Sequence, residues 1–94
     1  MVTALVFIRT ELHAVNDVAE TIAGIHGVSE VYSVTGDVDL IAIVRVRHHE
    51  ELADVIADQL NKVSGVLGTQ THIAFRTYSK HDLEAAFSLG LDDA

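Results

Sequence analysis

Two apolar, β-branched runs, Val28 to Val34 and Leu40 to Val46, stand either side of the short stretch Thr35-Gly36-Asp37-Val38-Asp39. A chain can leave one strand and enter the next across so few residues only by a tight reversal. A glycine beside an aspartate tolerates the positive φ that such reversals need. The two runs are therefore expected to form an antiparallel hairpin. Alone, the turn reads first as a surface reversal with solvated acids. The other reading is a turn that presents backbone N–H groups and carboxylates to a small ligand.

A similar unit flanks the hairpin on each side. Val2 to Arg9 alternates as a strand, with Val2, Ala4, Val6 and Ile8 on one face and Leu5 and Phe7 on the other. Leu12, Val15, Val18, Ala19, Ile22 and Ile25 recur at helical spacing, which predicts a helix from about Glu11 to Ala23. Beyond the hairpin, His48-His49-Glu50-Glu51 opens a second helix whose acids suit the positive end of the helix dipole. Its stripe is Leu52, Val55, Ile56, Leu60 and Val63, and Ser64-Gly65 closes it. Gly68 to Tyr78 alternates as a fourth strand, and a short terminal helix with Leu83, Ala86 and Phe87 as its stripe is expected after Ser79-Lys80-His81-Asp82. The passages Ile25-His26-Gly27-Val28 and Val63-Ser64-Gly65-Val66 repeat one helix-to-strand connection.

The order β-α-β-β-α-β joins two strand–helix–strand halves through a hairpin. Right-handed crossovers then leave an α+β, ferredoxin-like sandwich: a four-stranded antiparallel sheet with both helices on one face. Such a sheet leaves its second face open, and a wet face should be polar. Here Leu5, Phe7, Ile41 and Ile43 lie on the face away from Ala4, Val6, Ala42 and Val44, so whichever face meets the helices, the other carries apolar side chains. Patches of that kind mark interfaces, and the expectation is that the sheet packs face to face against a second copy.

Composition removes several classes of function. The chain has 94 residues, with 14 Asp+Glu against 6 Lys+Arg and a formal charge of −8, which opposes direct binding to nucleic acid. No apolar run reaches the ~20 residues of a membrane span. The start, Met1-Val2-Thr3-Ala4, leads into a strand without a basic leader, so a cytoplasmic protein is expected. There is no cysteine, and none of the 6 histidines has zinc-site spacing; neither a metal nor another cofactor is expected. No serine sits in a nucleophile context. What remains is polar groups at strand ends: the turn from Thr35 to Asp39, and Thr69-Gln70-Thr71 at the start of the fourth strand. Threonines there also suit a strand for its own sake.

The pattern Gly27-Val28-x-Glu30-Val31-Tyr32-x-Val34-Thr35-Gly36-Asp37-Val38-Asp39-Leu40, followed by an apolar strand, resembles the effector (RAM) domain of the Lrp/AsnC feast/famine transcriptional regulators. Gly65-Val66-x-x-Thr69-x-Thr71 resembles that domain's fourth strand, and the likeness extends roughly from Ala4 to Tyr78. The resemblance implies a domain that dimerises through its sheets, with dimers associating into rings and amino acids bound in clefts between neighbouring dimers. It places the ligand loop on Thr35, Gly36, Asp37, Val38, Asp39 and Leu40, and contacts from a neighbouring subunit on Thr69, Gln70 and Thr71. Two departures stand out. Residues 1–94 read as a single ligand-binding domain without the family's helix-turn-helix, so control of transcription would run through co-assembly with a full-length regulator. Position 38 is valine, where the family often has an aromatic. The competing expectation is a small dimeric αβ-barrel enzyme of monooxygenase type, with His72 or Tyr32 as its working group.

Overall fold

The computed structural model describes residues 1–80. Strands β1 (Val2–Thr10), β2 (Val28–Ser33), β3 (Leu40–Val46) and β4 (Val66–Ala74) form one sheet in the order β2-β3-β1-β4, and every neighbouring pair is antiparallel. Helix α1 (Val15–Ala23) and a second helical segment cover one face, as the ferredoxin-like expectation requires. The terminal helix expected around Leu83, Ala86 and Phe87 lies outside the described residues.

Period-two alternation decides the faces. Ala4, Val6 and Ile8 of β1 and Leu40, Ala42 and Val44 of β3 are all 0% exposed, packed under Val18 and Ile22 of α1 and under Leu52, Val55, Ile56 and Leu60. Their sequence neighbours Leu5, Phe7, Ile41 and Ile43 turn to the open face. There Leu5 pairs with Ile43, and Phe7 with Ile41. These four are only half-buried within the subunit. The apolar open face is thus present as expected.

Both helices depart from regular expectation. Helix α1 begins at Val15, not near Glu11. The main-chain N–H of Glu11 donates to the Gly65 carbonyl at 2.9 Å and the N–H of Ala14 to the Glu11 carbonyl, so residues 11–14 form a turn that leaves Leu12 at 85% exposure. The second segment is a π-helical turn, Ala53–Ala57, followed by a 3-10 turn, Leu60–Lys62. Regular spacing from Leu52 would bring Gln59 and Leu60 inward together. The widened turn leaves Leu60 fully buried and Gln59 exposed.

The internal repeat survives into three dimensions. Val28 N–H donates to the Ile25 carbonyl, and Val66 N–H to the Val63 carbonyl, at 3.0 and 3.1 Å. Gly27 and Gly65 take φ of +99° and +97°, and each leaves room for a valine of the opposite helical segment. A Cβ on Gly27 would stand 2.8 Å from Val55 Cγ2, and one on Gly65 2.8 Å from Val18 Cγ2. Each connection therefore packs beneath the other half's helix, which locks the two halves together at both ends of the sheet.

Candidate functional site

The hairpin turn closes through the Val34 N–H, which donates to the Asp39 carbonyl at 3.0 Å, with Gly36 at φ +110° near its tip. Thr35, Gly36 and Asp37 are exposed, while Val38 and Asp39 are half-buried. Asp39 is tied to β1 by two bonds. Its N–H donates to the Ile8 carbonyl at 2.9 Å, and its carboxylate Oδ2 accepts the Thr10 N–H at 2.8 Å. That second bond spans a register shift in the β1–β4 pairing between Arg9 and Thr10. The donor is free because Ile8–Leu40 is the last pair of the β1–β3 ladder: the next β1 N–H on that side, at Thr10, has no strand partner, and the Asp39 carboxylate accepts it. The Leu40 side chain belongs wholly to the core and its main chain pairs between Ile8 and Ser33, so Leu40 presents no side chain to a ligand at the rim.

On the other side of β1, Thr69, Gln70 and Thr71 divide between the two faces. Thr69 and Thr71 share the helix side with Ile73. The Thr69 hydroxyl donates to Asn61 Oδ1 at 2.7 Å. Thr71 lines a groove of about 320 Å³ with Leu52, Ala53, Ile56 and Ile73. Gln70 pairs with Phe7 and stands on the open face.

The two candidate segments meet at one end of the sheet. Ile8 pairs with Leu40 on one side and with Thr69 on the other. The start of β3 and the start of β4 are therefore two strand spacings apart, roughly 10 Å. Three residues at this end carry no sequence signal of their own. Arg9 lies opposite Gly68, Asn61 holds Thr69, and Thr10 is 6% exposed with a hydroxyl that finds no hydrogen-bond partner among the described residues.

The side chains named for an enzymatic alternative do not converge. His72 stands edge-on to Phe7 with ring centroids 5.0 Å apart at 88°. Tyr32 sits on β2, with β3 and β1 between it and β4, about 14 Å at ordinary strand spacing. Its hydroxyl donates to Glu30 Oε2 at 2.5 Å, while Arg45 Nη1 donates to Ser29 Oγ at 2.6 Å and reaches Glu30 Oε1 at 3.4 Å. The Tyr32 hydrogen bond, with help from the Arg45 charge, holds the Glu30 carboxyl below its ordinary value. The same bond pushes the Tyr32 hydroxyl up. A further hollow of about 540 Å³ lies at the opposite end of the sheet from the turn, with His26, Arg47, Glu51 and Asp54 among its lining residues. Among the described residues, no three His, Cys, Asp or Glu side chains converge as metal ligands do, and no helix is long and apolar enough to cross a membrane.

Comparison with known proteins places this geometry in a family context. Residues 3–83 match the family model described as the Lrp/AsnC ligand binding domain. The HTH-type transcriptional regulator FL11 of Pyrococcus horikoshii is 30% identical over 77 residues, covering 82% of this chain and 50% of that protein. The crystal structure of TTHA0845 from Thermus thermophilus superposes with a TM-score of 0.80 at 45% identity, covering 85% of this chain and 100% of that one. A feast or famine regulatory protein from M. tuberculosis, solved with L-methionine, superposes with a TM-score of 0.69 at 26% identity, covering 85% of this chain and 54% of that one. The chain spans between 40% and 52% of the length of the curated relatives it matches, which are transcriptional regulators.

Proposed function

The chain belongs to the Lrp/AsnC ligand-binding domain family, and from that premise we propose that it is an oligomeric effector-binding module for an amino acid. The observation that carries the reading is the shared sheet end. The turn Thr35–Leu40 and the segment Thr69–Thr71 flank the same residue of β1, so a ligand held by one lies within reach of the other or of its copy on a neighbouring subunit. The exposed turn offers main-chain N–H groups and the Asp37 carboxylate, which suit the two charged ends of an amino acid. The M. tuberculosis relative solved with L-methionine supports this ligand class.

Assembly completes the site in this proposal. The half-buried Leu5, Phe7, Ile41 and Ile43 form the face on which two subunits dimerise, and dimers join into a ring with the turn at their junction. Transcriptional control then follows from co-assembly with a full-length Lrp/AsnC regulator in the cytoplasm. Titration calorimetry and thermal unfolding against the twenty L-amino acids test the core of the reading. A ligand at 100 times its Kd should add about 2.7 kcal/mol of stability. An intact oligomer that none of the twenty stabilises or binds refutes it.

A further inference from the structure

The strands contain two arginines, and they are treated differently. Arg45, on β3, is engaged by Ser29 and Glu30. Arg9, on β1, lies at the turn-bearing end of the sheet and has no carboxylate or hydrogen-bond acceptor among the described residues. It is nevertheless placed. Gly68 is its cross-strand partner, and a Cβ there would stand 2.5 Å from Arg9 Nη2, 3.4 Å from Cζ and 3.6 Å from Nε. The guanidinium therefore rests over the bare Gly68 backbone, in space that any side chain would fill. Asp39, next to the last β1–β3 pair at Ile8–Leu40, gives its carboxylate to the Thr10 N–H, and the Arg9 charge has no counterion among the described residues of the subunit. The remaining acid of the turn, Asp37, is exposed at the tip.

A seated, unpaired guanidinium and an exposed carboxylate at one rim are the complement of a zwitterion. We infer that Arg9 joins the turn's main-chain N–H groups in receiving the carboxylate of the effector and supplies its counter-charge, with position 68 kept free of a side chain so that the guanidinium can lie there. This rests on the amino-acid reading above and sharpens it: the ligand must carry a free carboxylate, so acids bind and the corresponding amides do not. The planar guanidinium meets a carboxylate with two parallel N–H donors, a geometry that lysine cannot reproduce. Gln70, on the open face of β4 opposite Phe7, adds a neutral amide near this end of the sheet.

The test uses the whole chain, with the twenty L-amino acids and their α-carboxamides as probes (L-methioninamide for L-methionine). For each amino acid that binds, the wild type should prefer the acid over its amide by roughly 10- to 100-fold, the weight of a charge-assisted hydrogen-bonded contact. Arg9→Gln should remove most of that preference by weakening the acid alone. Arg9→Lys should keep only part of it. Gly68→Ala should weaken the acid by displacing the guanidinium, and should add nothing in an Arg9→Gln background. The chain should fold in every case, because Arg9 is exposed and the clash at position 68 meets the far end of its flexible side chain. An Arg9→Gln protein that keeps the wild-type acid-over-amide preference overturns the assignment and leaves the amino-acid reading standing. So does loss of the oligomer in Arg9→Gln by sedimentation velocity, which would show the cation pairing with another copy. A wild type that binds none of the twenty overturns both.

Discussion

Replacing Asp39 with alanine separates two roles that the ligand turn's two acids would otherwise share. The Asp39 carboxylate accepts the Thr10 N–H at 2.8 Å, and Thr10 is 6% exposed. Deleting the acceptor strands that donor, which costs about 1–3 kcal/mol when water cannot replace the partner. Asp39 is half-buried, so some water can enter and the lower part of the range, about 1–2 kcal/mol, is expected. In a domain of this size that corresponds to a fall in Tm of about 4–15 °C. Asp39→Asn keeps an oxygen that can accept and loses mainly the charge assistance, so it should cost at most about 1 kcal/mol. Asp37 is exposed and makes no hydrogen bond or ion pair among the described residues. Asp37→Ala should therefore stay within about 0.5 kcal/mol of wild type. The assay is urea or thermal unfolding of ligand-free protein at one fixed concentration, since an oligomer's stability depends on it. Binding then supplies the second axis: Asp39→Asn should retain affinity for an amino acid, and Asp37→Asn should lose it. Equal stabilities for Asp39→Ala and Asp37→Ala would refute the account of the Asp39–Thr10 bond.

Other consequences follow from single contacts. Gly36→Ala meets no atom within 4 Å and should cost only its φ of +110°, about 1–2 kcal/mol. Gly27→Ala carries the same strain and also drives a Cβ to 2.8 Å from Val55 Cγ2, so urea unfolding should show a further loss of about 1–3 kcal/mol. Ile43→Asp, on the open face opposite Leu5, should shift sedimentation from oligomer to monomer while leaving the circular dichroism spectrum of the sheet in place; an unchanged oligomer would remove that face as the interface. Tyr32→Phe should raise the Glu30 carboxyl towards its ordinary value in an NMR titration, because the tyrosine hydrogen bond is the largest cause lowering it. With its folded value lowered, Glu30 stabilises the fold above the ordinary carboxylate range and loses that contribution as pH falls through the folded value. Tyr32, raised, contributes below its ordinary value and loses the contribution as pH climbs past the folded one. Both groups are exposed, so the readout is the titration itself and not a melting temperature.

The strand pattern and both faces of the sheet were legible because side-chain direction along a strand is purely local. Alternation at Ala4, Leu5, Val6 and Phe7 already sorts side chains into two faces, while which face lies under the helices, and that β4 runs Val66–Ala74 and not Gly68 to Tyr78, came only with the packed sheet. The paired glycine connections were legible for a similar reason, since a positive φ restricts which residue can occupy the position whatever lies around it. The start of α1 was not. Leu12 has the right spacing for the helix stripe, yet the Glu11 N–H is taken by the Gly65 carbonyl from the other half of the chain, and the helix begins only after that bond has turned the backbone. The π-helical turn was hidden as well, because the periodic stripe from Leu52 to Leu60 is compatible with either winding, and packing against the sheet selects between them.

At the candidate site the division runs between residue types and partnerships. A glycine and two acids between strands, and two threonines opening another strand, could be read as polar groups at strand ends. Their division of labour could not. Asp39 binds Thr10, Thr69 binds Asn61, and Arg9 lies over Gly68 because of how β1 is registered against β3 and β4. Register is a relation between segments remote in the chain, and a slip of one residue would carry each of these side chains to the other face without altering any local pattern. Local periodicity thus sufficed to find the strands and to sort their side chains into two faces, but not to start α1 or wind the second helical segment. Which acid ties the turn to β1, and which cation is left unpaired beside it, depended on the strands meeting in one register.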